Sequence, residues 1–153
     1  MTNNDVLRKV RYTFDYNDDK MMALFTTGGQ EVTRAELSDW LKRDDDPDFK
    51  GIYDKQLATF LNGFINEKRG KRDGEQPVPE KSLNNNVIFR KLKIALTLTD
   101  EDIIEIFQLA DFTASKHEIS ALFRNPTHKH YRLCKDQFLR NFLLGMQFKF
   151  HQK

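Results

Sequence analysis

Residues 32–41, VTRAELSDWL, return as residues 114–123, ASKHEISALF, with matching chemistry at successive positions. Thr33 corresponds to Ser115, Arg34 to Lys116, Glu36 to Glu118, Leu37 to Ile119 and Ser38 to Ser120, a constant shift of 82 positions. Internal self-similarity of this kind confines the chain to architectures built from two like units. Each copy also opens with a capping box. A Ser or Thr hydroxyl accepts from the third helical N–H, and a Glu at that third position reaches back to the cap. Helix starts are therefore expected at Thr33 and at Ser115.

The correspondence extends in both directions. Asn3 and Asn4 are expected to cap a first helix whose apolar positions are Val6, Val10 and Phe14; Asn85 and Asn86 stand likewise before Ile88, Leu92 and Leu96. Asn17 and Thr99 cap a second helix, each followed by acids that suit the positive end of a helix dipole: Asp18 and Asp19 in one copy, Asp100, Glu101 and Asp102 in the other. Gly28 and Gly29 end that helix in the first copy, where Ala110 and Asp111 stand in the second. Helix three is expected to run until proline forces an exit, near Pro47 and near Pro126. A fourth helix beginning near Asp54 and Asp136 carries Leu57, Phe60, Leu61 and Phe64, matched by Leu139, Phe142, Leu143 and Met146, with Gly63 and Gly145 aligned.

These patterns predict an all-α protein of two tandem pseudo-repeats of about four helices each, helix-turn-helix-like. The repeats occupy residues 1–66 and 83–153. Between them residues 67–82, EKRGKRDGEQPVPEKS, are polar, hold two glycines and two prolines, and form a linker. A helical unit of about 65 residues is near the lower size limit for an independent core, so the copies are expected to pack on each other.

Hydrophobic content of 39% with 13 Phe suffices for a core, while 31% charged residues and the lack of a long apolar run exclude a transmembrane helix. The start MTNNDVLRKV has no apolar segment followed by a cleavage site, which places the protein in the cytoplasm by expectation. Cys134, the single cysteine, permits no internal disulfide and agrees with a reducing compartment. Residues 1–80 carry 13 basic and 16 acidic side chains, whereas residues 81–153 carry 12 and 7. The second half, at +5 against −3, is the one suited to a polyanion.

The order of elements resembles the helix-turn-helix domain of phage-repressor-type regulators. In that family a Val-Ser turn precedes a helix with an aliphatic residue, a Ser and a Trp. Here Val32 and Thr33 precede Leu37, Ser38 and Trp40 at that spacing. Gly28, Gly29, Gln30 and Glu31 lengthen the turn by about two residues, which changes the angle between the helices. The resemblance implies nucleic-acid binding through helix three, and the second copy is better furnished for it. Lys116, His117, Ser120, Arg124, Asn125 and Lys129 are donors suited to phosphates and base edges, while residues 44–46 of the first copy are three aspartates that repel a phosphate backbone. The alternative is a protein-binding adaptor that holds a partner helix in grooves between the repeats and binds no nucleic acid.

No catalytic constellation, cofactor motif or metal site is expected. His128 and His130 lack a Cys or paired carboxylate at ligand spacing. Residues 44–48 lack the spaced ligands, central Gly and distal Glu of a calcium loop. Cys134, between Leu133 and Lys135, fits a small buried residue as well as a nucleophile.

Across nearly its whole length the chain also resembles the bacterial YehS-like family, small duplicated proteins grouped as a domain of unknown function. The residues that carry the likeness include Asn3-Asn4-Asp5-Val6-Leu7-Arg8, Arg34-Ala35-Glu36-Leu37-Ser38, Leu61-Asn62-Gly63, Leu83-Asn84-Asn85-Asn86 and Ser115-Lys116-His117-Glu118. The resemblance implies a bacterial cytoplasmic protein and carries no site residue over.

Overall fold

Eight helices and no strand make up the regular structure of the described residues, 1–152 of the computed structural model. They are α1 (Asn3–Thr13), α2 (Asp18–Gly28), α3 (Arg34–Leu41), α4 (Asp54–Arg69), α5 (Asn85–Leu96), α6 (Asp100–Leu109), α7 (Lys116–Leu122) and α8 (Asp136–Phe150). Each of the last four begins 82 positions after its counterpart. The fold is all-α and duplicated, four helices to a repeat.

Both expected capping boxes are formed. Glu36 N–H donates to Thr33 Oγ1 at 3.1 Å and Thr33 N–H to Glu36 Oε1 at 2.9 Å; the Ser115–Glu118 distances are 3.0 and 2.9 Å. Asn17 and Thr99 cap α2 and α6 as expected. At α1 and α5 the sequence reading needs correcting. The caps are Thr2 and Asn84, one to two residues earlier than expected, and Asn3, Asn4, Asn85 and Asn86 lie inside the helices.

Asn4 and Asn86 are buried and reach across the repeat instead. Asn4 Nδ2 donates to the carbonyls of Trp40 and Lys50, each at 2.9 Å, and Asn4 Oδ1 accepts from Ile52 N–H at 3.1 Å. Asn86 does the same with the carbonyls of Leu122 and Arg132 and with Cys134 N–H. One side chain thus seizes the end of α3 or α7 and both sides of the loop that follows.

This clamp also corrects the expected exits. α3 ends at Leu41 and α7 at Leu122, well before Pro47 and Pro126. The Trp40 and Leu122 carbonyls are taken by asparagine, the Lys42 carbonyl accepts from Arg8 Nη1 at 2.8 Å, and Lys42 is already extended at φ −64°, ψ 158°. Side chains from α1 and α5 satisfy the terminal carbonyls, so each helix stops without proline.

Within each repeat the fourth helix packs on the second. The approach is close because of glycine, at Gly28 and Gly63 in the first copy and at Gly145 in the second. A Cβ at Gly63 would lie 1.7 Å from the Leu24 carbonyl oxygen, and one at Gly145 would lie 2.0 Å from that of Ile106. Around these contacts Phe25 meets Trp40 and Phe60 in the first repeat, and Phe89 meets Phe107 and Phe142 in the second. Trp40 and Leu37 belong to this core.

Between repeats the first helix of each lies on the fourth helix of the other, α4 with α5 and α1 with α8. The polar contacts are reciprocal. Leu83 N–H donates to Asp54 Oδ2 at 2.9 Å, while the Met1 nitrogen, 82 positions earlier, donates to Asp136 Oδ2 at 3.0 Å. Lys91 Nζ donates to Asn62 Oδ1 of α4, and its counterpart Lys9 donates to Gln147 Oε1 of α8, each at 2.6 Å. Such reciprocity is the mark of an approximate two-fold relation. One continuous cluster of buried side chains runs through both repeats. α4 extends to Arg69, so Glu67, Lys68 and Arg69, assigned to the linker on composition, form its last turn.

Candidate nucleic-acid interface

The α7 capping box leaves Lys116 and His117 exposed on the first turn of a seven-residue helix. At a rise of about 1.5 Å per residue, the two ends of α7 lie roughly 10 Å apart. Ser120 and Arg124 are half-buried toward its far end, and Asn125 and Lys129 are exposed in the loop beyond. The six expected residues therefore fall into two groups. Lys116 and His117 stand at the start of the helix, while Arg124, Asn125 and Lys129 follow its end.

Their availability differs. Lys116 Nζ pairs with Glu101 Oε1 at 3.2 Å in an exposed contact, and the Glu101 pKa is lowered first by a hydrogen bond from its own backbone N–H and then by Lys116. The first repeat shows the parallel pair: Arg34 engages Asp18 and Asp19, so the basic residue opening helix three meets acids at the start of helix two in both copies. Asn125 Oδ1 is occupied by Thr127 N–H at 2.9 Å and Thr127 Oγ1 at 2.8 Å, which shapes the turn. His128 Nδ1 accepts from His130 N–H at 3.0 Å. Arg124 and Lys129 enter no ion pair among the described residues.

Arg132 and Lys135 were not picked out from the sequence, yet they belong to this face. With His117, His130 and Phe138 they line a hollow of about 480 Å³ between α7 and α8. Both are exposed, and neither enters an ion pair among the described residues. The signal was legible: no acidic residue occurs between Glu118 and Asp136. The equivalent loop of the first repeat carries Asp44, Asp45, Asp46 and Asp48, with Asp44 bound to Arg8 and Asp39 to Lys42. One scaffold thus presents two loops of opposite charge.

Cys134 fills the position of Ile52 in the first repeat, held by Asn86 at its N–H. Burial pushes its thiol up to about 12, which keeps it protonated at neutral pH and fits a packing residue rather than a nucleophile.

Residues 3–70 and residues 85–151 each match the profile of a family described as "Protein of unknown function (DUF1456)". The chain is 40% identical over 154 residues to the "Uncharacterized protein YehS" of Escherichia coli (strain K12), an alignment that spans 100% of this chain and 99% of the relative. No solved structure matches it.

Proposed function

The chain belongs to the DUF1456 family, and we propose that it is a non-catalytic recognition module that binds nucleic acid through its second repeat. The observation that supports this reading is the charge inversion between the two equivalent loops. Arg124, Lys129, Arg132 and Lys135 stand without carboxylate partners among the described residues, in a segment free of acids whose equivalent in the first repeat carries Asp44, Asp45, Asp46 and Asp48. Unpaired exposed cations displace counterions from a phosphate backbone at little cost, because no internal ion pair has to break first. Lys116 and His117 extend the face along α7, and Asn125 contributes an amide N–H pair at its edge.

Affinity from such contacts falls steeply with salt. Binding to mixed duplex and single-stranded oligonucleotides is expected to weaken by orders of magnitude between about 50 and 200 mM salt. Arg124→Ala with Lys129→Ala lowers the salt slope by up to about two, and Arg132→Ala with Lys135→Ala does the same, whereas Lys116→Ala, which removes a cation already paired with Glu101, changes it little. Arg34→Ala with Lys42→Ala, which removes cations already paired with aspartates, changes it little. Fluorescence anisotropy on purified protein reads all of these. Absence of binding to either form at low salt ends the proposal, and equal loss from all three double variants moves the site away from the second repeat.

A further inference from the structure

The near two-fold relation places two equivalent grooves where the repeats meet. One, of about 630 Å³, lies between α1 and α8 and is lined by Arg8, Lys9, Tyr12, Arg140 and Leu144 among others. The other, of about 780 Å³, lies between α5 and α4, and there Arg90, Lys91, Ile94 and Asn62 take the places of Arg8, Lys9, Tyr12 and Leu144, while Arg140 has only Ala58 as its counterpart. The second has an additional wall. The extended segment after α4 crosses it and contributes Arg72, Pro77 and Glu80.

Glu80 sets a carboxylate oxygen 2.9 Å from Lys91 Nζ, which also donates to Asn62, so the buried ammonium has a charge partner and an amide partner. Lys9 has the amide alone. Its Nζ donates to Gln147 at 2.6 Å, it is half-buried, and burial lowers its pKa, but among the described residues no carboxylate faces it. Asp5, on the same groove, is paired with Arg8. Arg140 is exposed at the rim and enters no ion pair among the described residues.

We propose that the groove between α1 and α8 is a docking site for an extended, proline-containing acidic segment of a partner protein, whose carboxylate meets Lys9 as Glu80 meets Lys91. The molecule displays the binding mode on its own tether. A desolvated ammonium with one neutral partner gains most from a carboxylate, since the charge-assisted bond offsets burial it already bears. Proline ahead of the contact, as Pro77 and Pro79 precede Glu80, holds the segment extended and reduces the ordering lost on docking. The inference is independent of nucleic-acid binding, which uses the face around α7.

The test uses a synthetic peptide with the sequence of residues 74–82, GEQPVPEKS, titrated into the intact protein labelled with ¹⁵N. Saturable shifts are expected at Lys9, Tyr12, Leu144 and Gln147. Lys9→Gln in the protein, or Gln in place of the peptide Glu that corresponds to Glu80, each weakens binding at least about tenfold, and the two together no further. Arg140→Gln, at the exposed rim and without risk to folding, weakens it about two- to threefold. Absence of saturable shifts at millimolar peptide overturns the proposal. So do shifts centred on Lys91 and Asn62, which would mean that the peptide displaces the tether, or full affinity in both Lys9→Gln and Arg140→Gln.

Discussion

At the scale of residues, the most consequential side chains are two asparagines that look ordinary in sequence. Asn4 and Asn86 sit where a helix cap is expected, and local pattern alone makes them caps. Their partners lie 36 to 48 positions away, beyond the reach of any spacing argument. Alanine at Asn86 would leave the buried Cys134 N–H and two carbonyls without partners, a loss of about 1–3 kcal/mol in urea unfolding. Alanine at Asn4 should cost a similar amount, whereas Asn141→Ala, an exposed contact within one helix turn, should cost well under 1 kcal/mol. Equal effects at all three sites would show that the clamps do not hold in solution. The basic face proposed for nucleic acid was partly legible at this scale. Lys116, His117, Arg124 and Lys129 lie on it, but the loss of Lys116 to Glu101 depended on a neighbouring helix, and Arg132 and Lys135 emerge only when the acid-free run is noticed.

Among elements, the starts of α2, α3, α6 and α7 and the glycine end of α2 were legible, whereas the caps of α1 and α5 and the ends of α3 and α7 were not, for a physical reason. A capping box is closed within four residues, so Thr33 and Ser115 announce their helices unaided. The stop is decided by asparagine and arginine side chains arriving from α1 and α5, and proline downstream was a misleading sign. Gly63 and Gly145 carry a similar lesson: their alignment was visible, but not that each admits a backbone carbonyl from the neighbouring helix. Gly145→Ala should force α8 away from α6 and cost at least about 1–3 kcal/mol despite the better helix propensity of alanine. Gly63→Ala should do likewise at α4 and α2. A rise in melting temperature for either variant would mean that the helices stand farther apart than the glycine contacts require.

For the whole molecule, the small size of each unit predicted that the copies pack together but not which helix meets which. The exchange of first helices across the boundary makes each repeat incomplete alone, because α1 and α5 bury surface against the other half. Residues 1–73 and 74–153, expressed separately, should therefore give poorly folded or self-associating species, and together should restore one complex with a single cooperative transition. Circular dichroism melting and size-exclusion chromatography of the separate and mixed fragments check this; two stable monomeric halves would contradict it. The opposed loops have a further consequence. With a net charge of only +2, the attraction of the protein to a distant polyanion owes little to its monopole. The acidic loop of one repeat and the basic loop of the other, held on a rigid two-fold frame, instead form an electric dipole. In the field of a polyanion such a body experiences a torque, which under the proposed reading turns α7 foremost before contact.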